Sequence, residues 1–222
     1  MSLSPLSRLA GPFALIAGAL MLVSQLVWLP FDTDDHQATS QNVVFQAGGV
    51  AYLIGFCMLM LALVAAYGWQ AEKAGTFGLV AFLTAIVGTM LLAGDLWFET
   101  YAVPWIADSQ APQILDEDPS ALIAAGAVSS YVLFAVGWAL FAIASLRARI
   151  FPRAICLAIA IGGVIGFSAL LSPFGIPLAL AIGWLGVWMI KTTRRADRLD
   201  LHDAELDSSL AAAGETSEPM PV

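Results

Sequence analysis

Residues 154–198 read AICLAIAIGGVIGFSALLSPFGIPLALAIGWLGVWMIKTTRRADR, and the number of helices in the chain hangs on how this stretch is divided. No charge occurs from Ala154 to Ile190. That is too long for one ordinary crossing, because about 20 apolar residues span a hydrocarbon core of ~30 Å. Ser172, Pro173, Phe174 and Gly175 interrupt the run as a turn-forming cluster, and Pro177 follows near a helix start. The spacing predicts two helices joined by a tight turn, the second ending at the basic cluster Lys191, Arg194, Arg195 and Arg198. The second is short: 177–190 gives roughly 21 Å of rise, so it must borrow Phe174 or let Lys191 snorkel.

Four further charge-free intervals lie upstream, from Leu9 to Phe31, Gln37 to Ala71, Ala74 to Gly94 and Pro119 to Leu146. Each holds a helix of roughly 20 residues. The basic residues then alternate cleanly. Arg8 precedes the first run, Lys73 lies between the second and third, and Arg147, Arg149 and Arg153 lie between the fourth and fifth. The gaps on the other side carry Asp, Glu and one His but no Lys or Arg. Basic residues mark the cytoplasmic side of membrane helices. A five-helix division would put Lys191, Arg194 and Arg195 on the wrong side.

The expected fold is therefore an all-α, polytopic six-transmembrane-helix bundle with both termini cytoplasmic. Its helices are expected at about 9–30, 43–68, 77–98, 121–146, 154–171 and 174–190, forming one transmembrane domain over 1–198. Residues 199–222 are polar and acidic, and are expected to be a disordered cytoplasmic tail. The first run is about twice the length of a signal-peptide core and lacks a clean cleavage site, so it reads as a retained signal anchor. Size and plain construction fit a multi-pass protein of the bacterial cytoplasmic membrane.

Composition agrees with this class. The chain has 222 residues, 59% hydrophobic and 12% charged, with mean hydropathy +0.83. An ordinary soluble domain is excluded. The net charge of −8 divides between acidic outer loops and the acidic tail. No basic stripe with interleaved aromatics suggests nucleic-acid binding. Cys57 and Cys156 lie inside apolar runs and read as small fillers, with no zinc spacing around them. The opening of the first helix resembles that of the third, which suggests a duplicated hairpin, although shared membrane composition explains the likeness equally well.

In lipid, helices associate through close backbone approach and interhelical hydrogen bonds. Gly162, Gly163 and Gly166 form one expected seam; Gly48, Ala51 and Gly55 form a second; Gly11, Ala14 and Gly18 form a third. Trp28, Trp97 and Trp105 are expected at the outer interface and Trp69 and Trp188 at the inner one. Trp138 and Trp184 are expected to fill interhelical space.

Asp95 is the polar residue that stands out. It falls about 18 residues into the third helix, roughly 27 Å from its cytoplasmic end. Every Lys and Arg is expected on the opposite side, so an ordinary salt bridge is denied to it. It must face outer water, be protonated or hydrogen-bonded, or bind a cationic group from outside. Gln25, Gln46, Ser129, Ser130 and Tyr131 fall at similar depth, and Glu99 lies one turn beyond Asp95 on the same face. These seven residues are the candidate ligand-binding set, lining a polar vestibule open to the outside.

The outer loops carry Asp32, Asp34, Asp35 and His36 in one cluster and Asp116, Glu117 and Asp118 in another. Neither spacing matches a known metal motif, and both read as solvated loops. The segment Glu99 to Ser120 is long for a loop, and its part from Tyr101 to Ile106 is expected to lie back on the bundle mouth. Hydrolase, metalloprotease, phosphate-loop and intramembrane haem signatures are missing, so no cofactor is implied.

Three functional classes follow. A binding or accessory membrane subunit receiving a small ligand, lipid or protein partner at its outer face ranks first. A small secondary transporter or cation-coupled permease using Asp95 ranks second, and a membrane enzyme last. Anionic lipid is the expected partner of Lys191, Arg194, Arg195 and Arg198.

Overall fold

The computed structural model of the protein describes residues 5–31, 36–109, 112–116 and 118–215. Among the described residues every regular element is helical. The long elements are α1 (Pro5–Trp28), α3 (Val43–Trp97), α5 (Ala121–Ala148), α6 (Arg153–Ile165) and α7 (Ile176–Glu215). Short helices α2 (His36–Ser40) and α4 (Val103–Ala107) sit between them. Four helical stretches are long and apolar enough to cross a membrane: Arg8–Trp28, Val43–Ala107, Ala121–Ala148 and Ile176–Leu199. This is what a membrane-embedded chain requires. The helix α6 is too short to count with them.

The helix α3 is not one rod. Gly75 adopts φ 59° and ψ −156°, a conformation open essentially to glycine alone. The Tyr67 and Phe82 rings stack at 4.3 Å, although an unbroken helix would hold them about 22 Å apart. A Cβ on Gly49 would likewise fall 2.7 Å from the Thr100 hydroxyl. The chain therefore reverses at Gly75, and arms 43–74 and 76–97 run antiparallel. The expected loop over 69–76 shrinks to a single residue.

Caps fix the other ends. The Asn42 side chain accepts from Val44 N and Phe45 N at 2.9 and 3.4 Å, and the Ser120 hydroxyl accepts from Ile123 N at 3.4 Å. The helix α5 stops where Arg149 turns left-handed, at φ 54°. Within the helices, Ser24, Thr84, Thr89 and Ser145 return their hydroxyls to the carbonyl four residues earlier, so each of these polar groups has its donor satisfied inside an apolar run.

Two boundaries differ from the sequence reading. The helix expected to end near residue 171 ends at Ile165, followed by a 3₁₀ turn, Gly166–Ser168. At the other end, α7 runs through the basic cluster to Glu215, where a structureless tail was expected from 199 onward. A helix already nucleated at Ile176 extends cheaply through Ala204, Leu206, Leu210 and the alanines at 211–213, all good helix formers.

Close backbone approach organises the packing. A Cβ on Gly18 would lie 2.5 Å from Gly183 N, and one on Gly186 would lie 2.5 Å from Leu15 N, so α1 and α7 touch along their main chains. Gly88 and Gly137 do the same between arm 76–97 and α5. Gly162 meets the backbone of Leu178 and Gly163 meets Trp138. Along the centre runs a column of aromatic contacts: Trp28 on Tyr52, Tyr52 on Phe56, Phe56 on Phe134, Phe134 on Trp138, and Trp138 on Phe141. Trp138 donates from Nε1 to Thr89 Oγ1 at 3.1 Å. Trp28 is buried among its neighbours at its end of the bundle, and Trp184 lies exposed on the bundle surface rather than filling its interior.

The cations gather at one end. Arg8 approaches Asp197 at 3.7 Å, Arg147 lies 5.0 Å over the Phe77 ring, and Trp188 meets both Trp69 and Phe151. The start of α1, the Gly75 reversal, the α5–α6 connection and the basic part of α7 are thereby neighbours.

Candidate functional site

At the opposite end, the face of the chain that carries Leu96 continues through a π-helical turn, Phe98–Ala102, into α4. Residues 96, 99, 100 and 104 follow at spacings of three and four, so Leu96, Glu99, Thr100 and Pro104 share one side. That side forms a wall of a cavity of about 310 Å³. Trp28, Phe31 and Phe45 form the apolar wall opposite, and Gln46, Tyr131 and Ser172 complete its polar points.

The segment expected to lie back on the mouth does so as structure, not as loop. Val103 and Ala107 are buried against the bundle, Pro104 reaches the cavity, and Trp105 stands out at 73% exposure.

Of the seven candidate residues, Gln46, Glu99 and Tyr131 line the cavity. Asp95 is half-buried beside it, close enough to Tyr131 for the two side chains to interact. Ser130 is buried and Ser129 exposed, and each returns its hydroxyl to its own helix, on Ala127 O and Gly126 O. Gln46 Nε2 donates to Ser40 O at 2.9 Å, tying arm 43–74 to α2.

Gln25 acts as interhelical glue. Fully buried, it donates from Nε2 to Ala169 O at 2.7 Å and accepts from Gly175 N at 3.2 Å. Tyr52 donates to the same Ala169 carbonyl at 2.8 Å, and Ser172 Oγ donates to Gln25 O at 2.8 Å. The connection between α6 and α7 is thus pinned to α1 and arm 43–74. Leu170, Leu171 and Ser172 of that connection form part of the cavity rim. Gln25 shapes the cavity without entering it.

Thr100 was not singled out by its sequence context. It is 8% exposed, lines the cavity, and its hydroxyl has no hydrogen-bond partner among the described residues. Nothing in the local sequence distinguishes it, since its importance arises from the π turn and from the open side of Gly49. Trp28 and Phe45 were also missed as lining. They stack at 5.2 Å, with Trp28 Nε1 donating to Phe45 O at 3.1 Å, so the indole offers the cavity its ring and not its N–H.

None of the described lining side chains is basic. The acidic loop residues 32, 34, 35 and 117 lie outside the described residues, as do the side chains of His36 and Asp116. Among the described residues no cluster of three His, Cys, Asp or Glu side chains forms. At the cationic end, Lys191, Arg194, Arg195 and Arg198 line a shallow surface pocket with Leu199. Comparison with protein-family models, curated proteins and solved structures gives no match.

Proposed function

We propose that the protein is a six-crossing integral membrane protein with both ends cytoplasmic, serving as a binding or accessory subunit that receives a small ligand at its outer face. The carrying observation is the cavity of about 310 Å³, at the end away from the cations, with Gln46, Glu99 and Tyr131 among aromatic rings on its wall. Small-molecule sites are concave, mostly apolar and furnished with a few polar groups. The six crossings are α1, the two arms of α3, α5, α6 with its 3₁₀ extension, and α7. The orientation follows from grouping Arg8, Arg147 and the Lys191 cluster at one end, since basic residues favour the cytoplasmic side.

Transport through Asp95 is the weaker reading. A transporter needs a route from the midplane to both sides. Here Tyr52, Phe56, Phe134, Trp138 and Phe141 are buried in continuous contact beneath the cavity. No enzyme chemistry is supported by the groups around it. At the cytoplasmic end, the four basic side chains around one surface pocket suit an anionic lipid headgroup.

The test is thermal stability of the purified full chain across a panel of small amphiphiles, comparing wild type with Leu171→Trp. Leu171 lines the cavity and is 50% exposed, so the larger ring has room to enter. Saturable stabilisation of the wild type that the variant lacks supports the reading. Equal responses of both proteins to every compound would refute it.

A further inference from the structure

We infer that the outward face of α7 binds a phospholipid carrying two phosphates; this rests on the anionic-headgroup reading of the cytoplasmic end and names the lipid. The first observation is one continuous stripe. Leu180, Trp184 and Val187 are 54%, 51% and 37% exposed, and Lys191, Arg194, Arg195 and Arg198 are exposed beyond them. Steps of three and four residues link the whole set, so it follows one side of a single helix. Leu178, Ile182, Leu185 and Met189 of the same helix are buried in the bundle, which fixes the stripe as the outward side.

The order along that stripe is the order within a phospholipid. Trp188, three residues before Lys191, meets Trp69 and Phe151, an aromatic layer of the kind that marks a membrane boundary. From Lys191 to Arg198 the helix rises about 10 Å. A headgroup layer occupies roughly 5–8 Å on each side of the hydrocarbon core, so the basic side chains stand at its depth. Acyl chains can lie along Leu180, Trp184 and Val187 while the phosphates meet the cations. A soluble polyphosphate would use only the basic half.

The second observation is the arrangement of the cations. Lys191 and Arg198 stand near the midline of the stripe. Arg194 and Arg195 lie at nearly one height and about 100° apart around the axis, one to each side. With Leu199 the four border an open space of about 620 Å³. Two phosphates set side by side fit this fork, each meeting one guanidinium and both sharing the midline cations. Guanidinium groups pair with phosphate oxygens bidentately. A single phosphodiester engages one flank only.

The third observation is the balance of charge. From Lys191 to Leu199 there are four basic residues and one acid, Asp197. Asp197 falls off the stripe and lies 3.7 Å from Arg8 of α1. The acidic residues that follow in the sequence continue along the helix axis, away from Trp188. Like charges three and four residues apart repel along a helix. An anion seated among them relieves that cost.

The experiment uses the full chain in an uncharged maltoside detergent. Diphosphatidylglycerol, phosphatidylglycerol and phosphatidylcholine are titrated, with inorganic pyrophosphate as a soluble source of two phosphates. Thermal stability gives the apparent affinity, and native mass spectrometry counts the lipid retained. The expected result is saturable binding of diphosphatidylglycerol, about fivefold or more tighter than phosphatidylglycerol, with no response to phosphatidylcholine or pyrophosphate. Arg194→Gln and Arg195→Gln should each weaken it about fivefold, and the pair together about 25-fold. Arg153→Gln removes an exposed arginine of α6 and should leave it unchanged.

Equal affinity for phosphatidylglycerol overturns the two-phosphate assignment and leaves the anionic-headgroup reading standing. Binding of pyrophosphate as tight as that of diphosphatidylglycerol overturns the lipid as the source. Equal responses to all three lipids, unchanged in the Arg194→Gln, Arg195→Gln pair, overturn both.

Discussion

Tyr131 on α5 and Asp95 on arm 76–97 lie close enough across the helix interface for the phenol and the carboxylate to interact. Glu99, one turn further along, lies on the cavity wall.

Tyr131→Phe and Asp95→Leu are expected to change stability non-additively, with a coupling of about 0.5–1 kcal/mol, because the two side chains interact across the interface. A double-mutant cycle on reversible unfolding in detergent measures the coupling. Additive losses would mean that the two side chains do not depend on one another.

Gln25→Leu leaves Gly175 N without its acceptor and Ala169 O without one of its two donors, while Ser172 stays bonded to the backbone carbonyl of residue 25. The expected cost is roughly 1–3 kcal/mol. Because residues 170–172 form part of the cavity rim, ligand-induced stabilisation should fall as well, although Gln25 itself does not line the cavity. Comparing the unfolding temperature with and without ligand separates the two effects.

Gly75→Ala should cost about 1–3 kcal/mol through backbone strain alone, since φ 59° with ψ −156° is closed to side-chain-bearing residues. Nothing lies within 4 Å of the added Cβ, so crowding contributes nothing. Gly68→Ala, in an open helical position, is the control and should be neutral or slightly stabilising.

Gly18→Ala places a methyl 2.5 Å from Gly183 N and must push α1 from α7. Overpacking of this kind costs about 1–3 kcal/mol. Crosslinking efficiency between cysteines placed on the two helices would report the separation, and an unchanged yield would contradict the contact.

Gln70→Met tests the other orphan. Gln70 is fully buried, and neither of its amide atoms has a partner among the described residues. Replacement by an apolar side chain of similar size should raise stability by about 1–3 kcal/mol. A fall would show that Gln70 holds a polar group of its own.

Much of the site's vocabulary was legible beforehand. The depth of Asp95, Gln25, Gln46 and Tyr131 follows from counting residues along apolar runs, and three of the seven candidates, Gln46, Glu99 and Tyr131, reach the cavity. Their roles were not legible. Gln25 and Gln46 sit at similar depths, yet one ties helices together inside the bundle and the other reaches the cavity. Ser129 faces outward and Ser130 inward with both hydroxyls spent locally. Thr100 and Trp28 gave no signal, because a threonine beside a glutamate and a tryptophan at a helix end are ordinary.

The sequence by itself determined that the chain is helical and apolar enough for a membrane, and where its cations are spaced. Those properties are sums over a single segment: the length of an uncharged run, and the cost of placing a charge in hydrocarbon. Only the tertiary structure decided how each helix is turned about its axis. In helices apolar on every side that phase is set by contacts such as Gly18 on Gly183 and Gly88 on Phe134, which join residues far apart in the chain. That rotation brings Tyr131 to Asp95 and Gln25 to Gly175, and it turns the Thr100 hydroxyl onto the open side of Gly49.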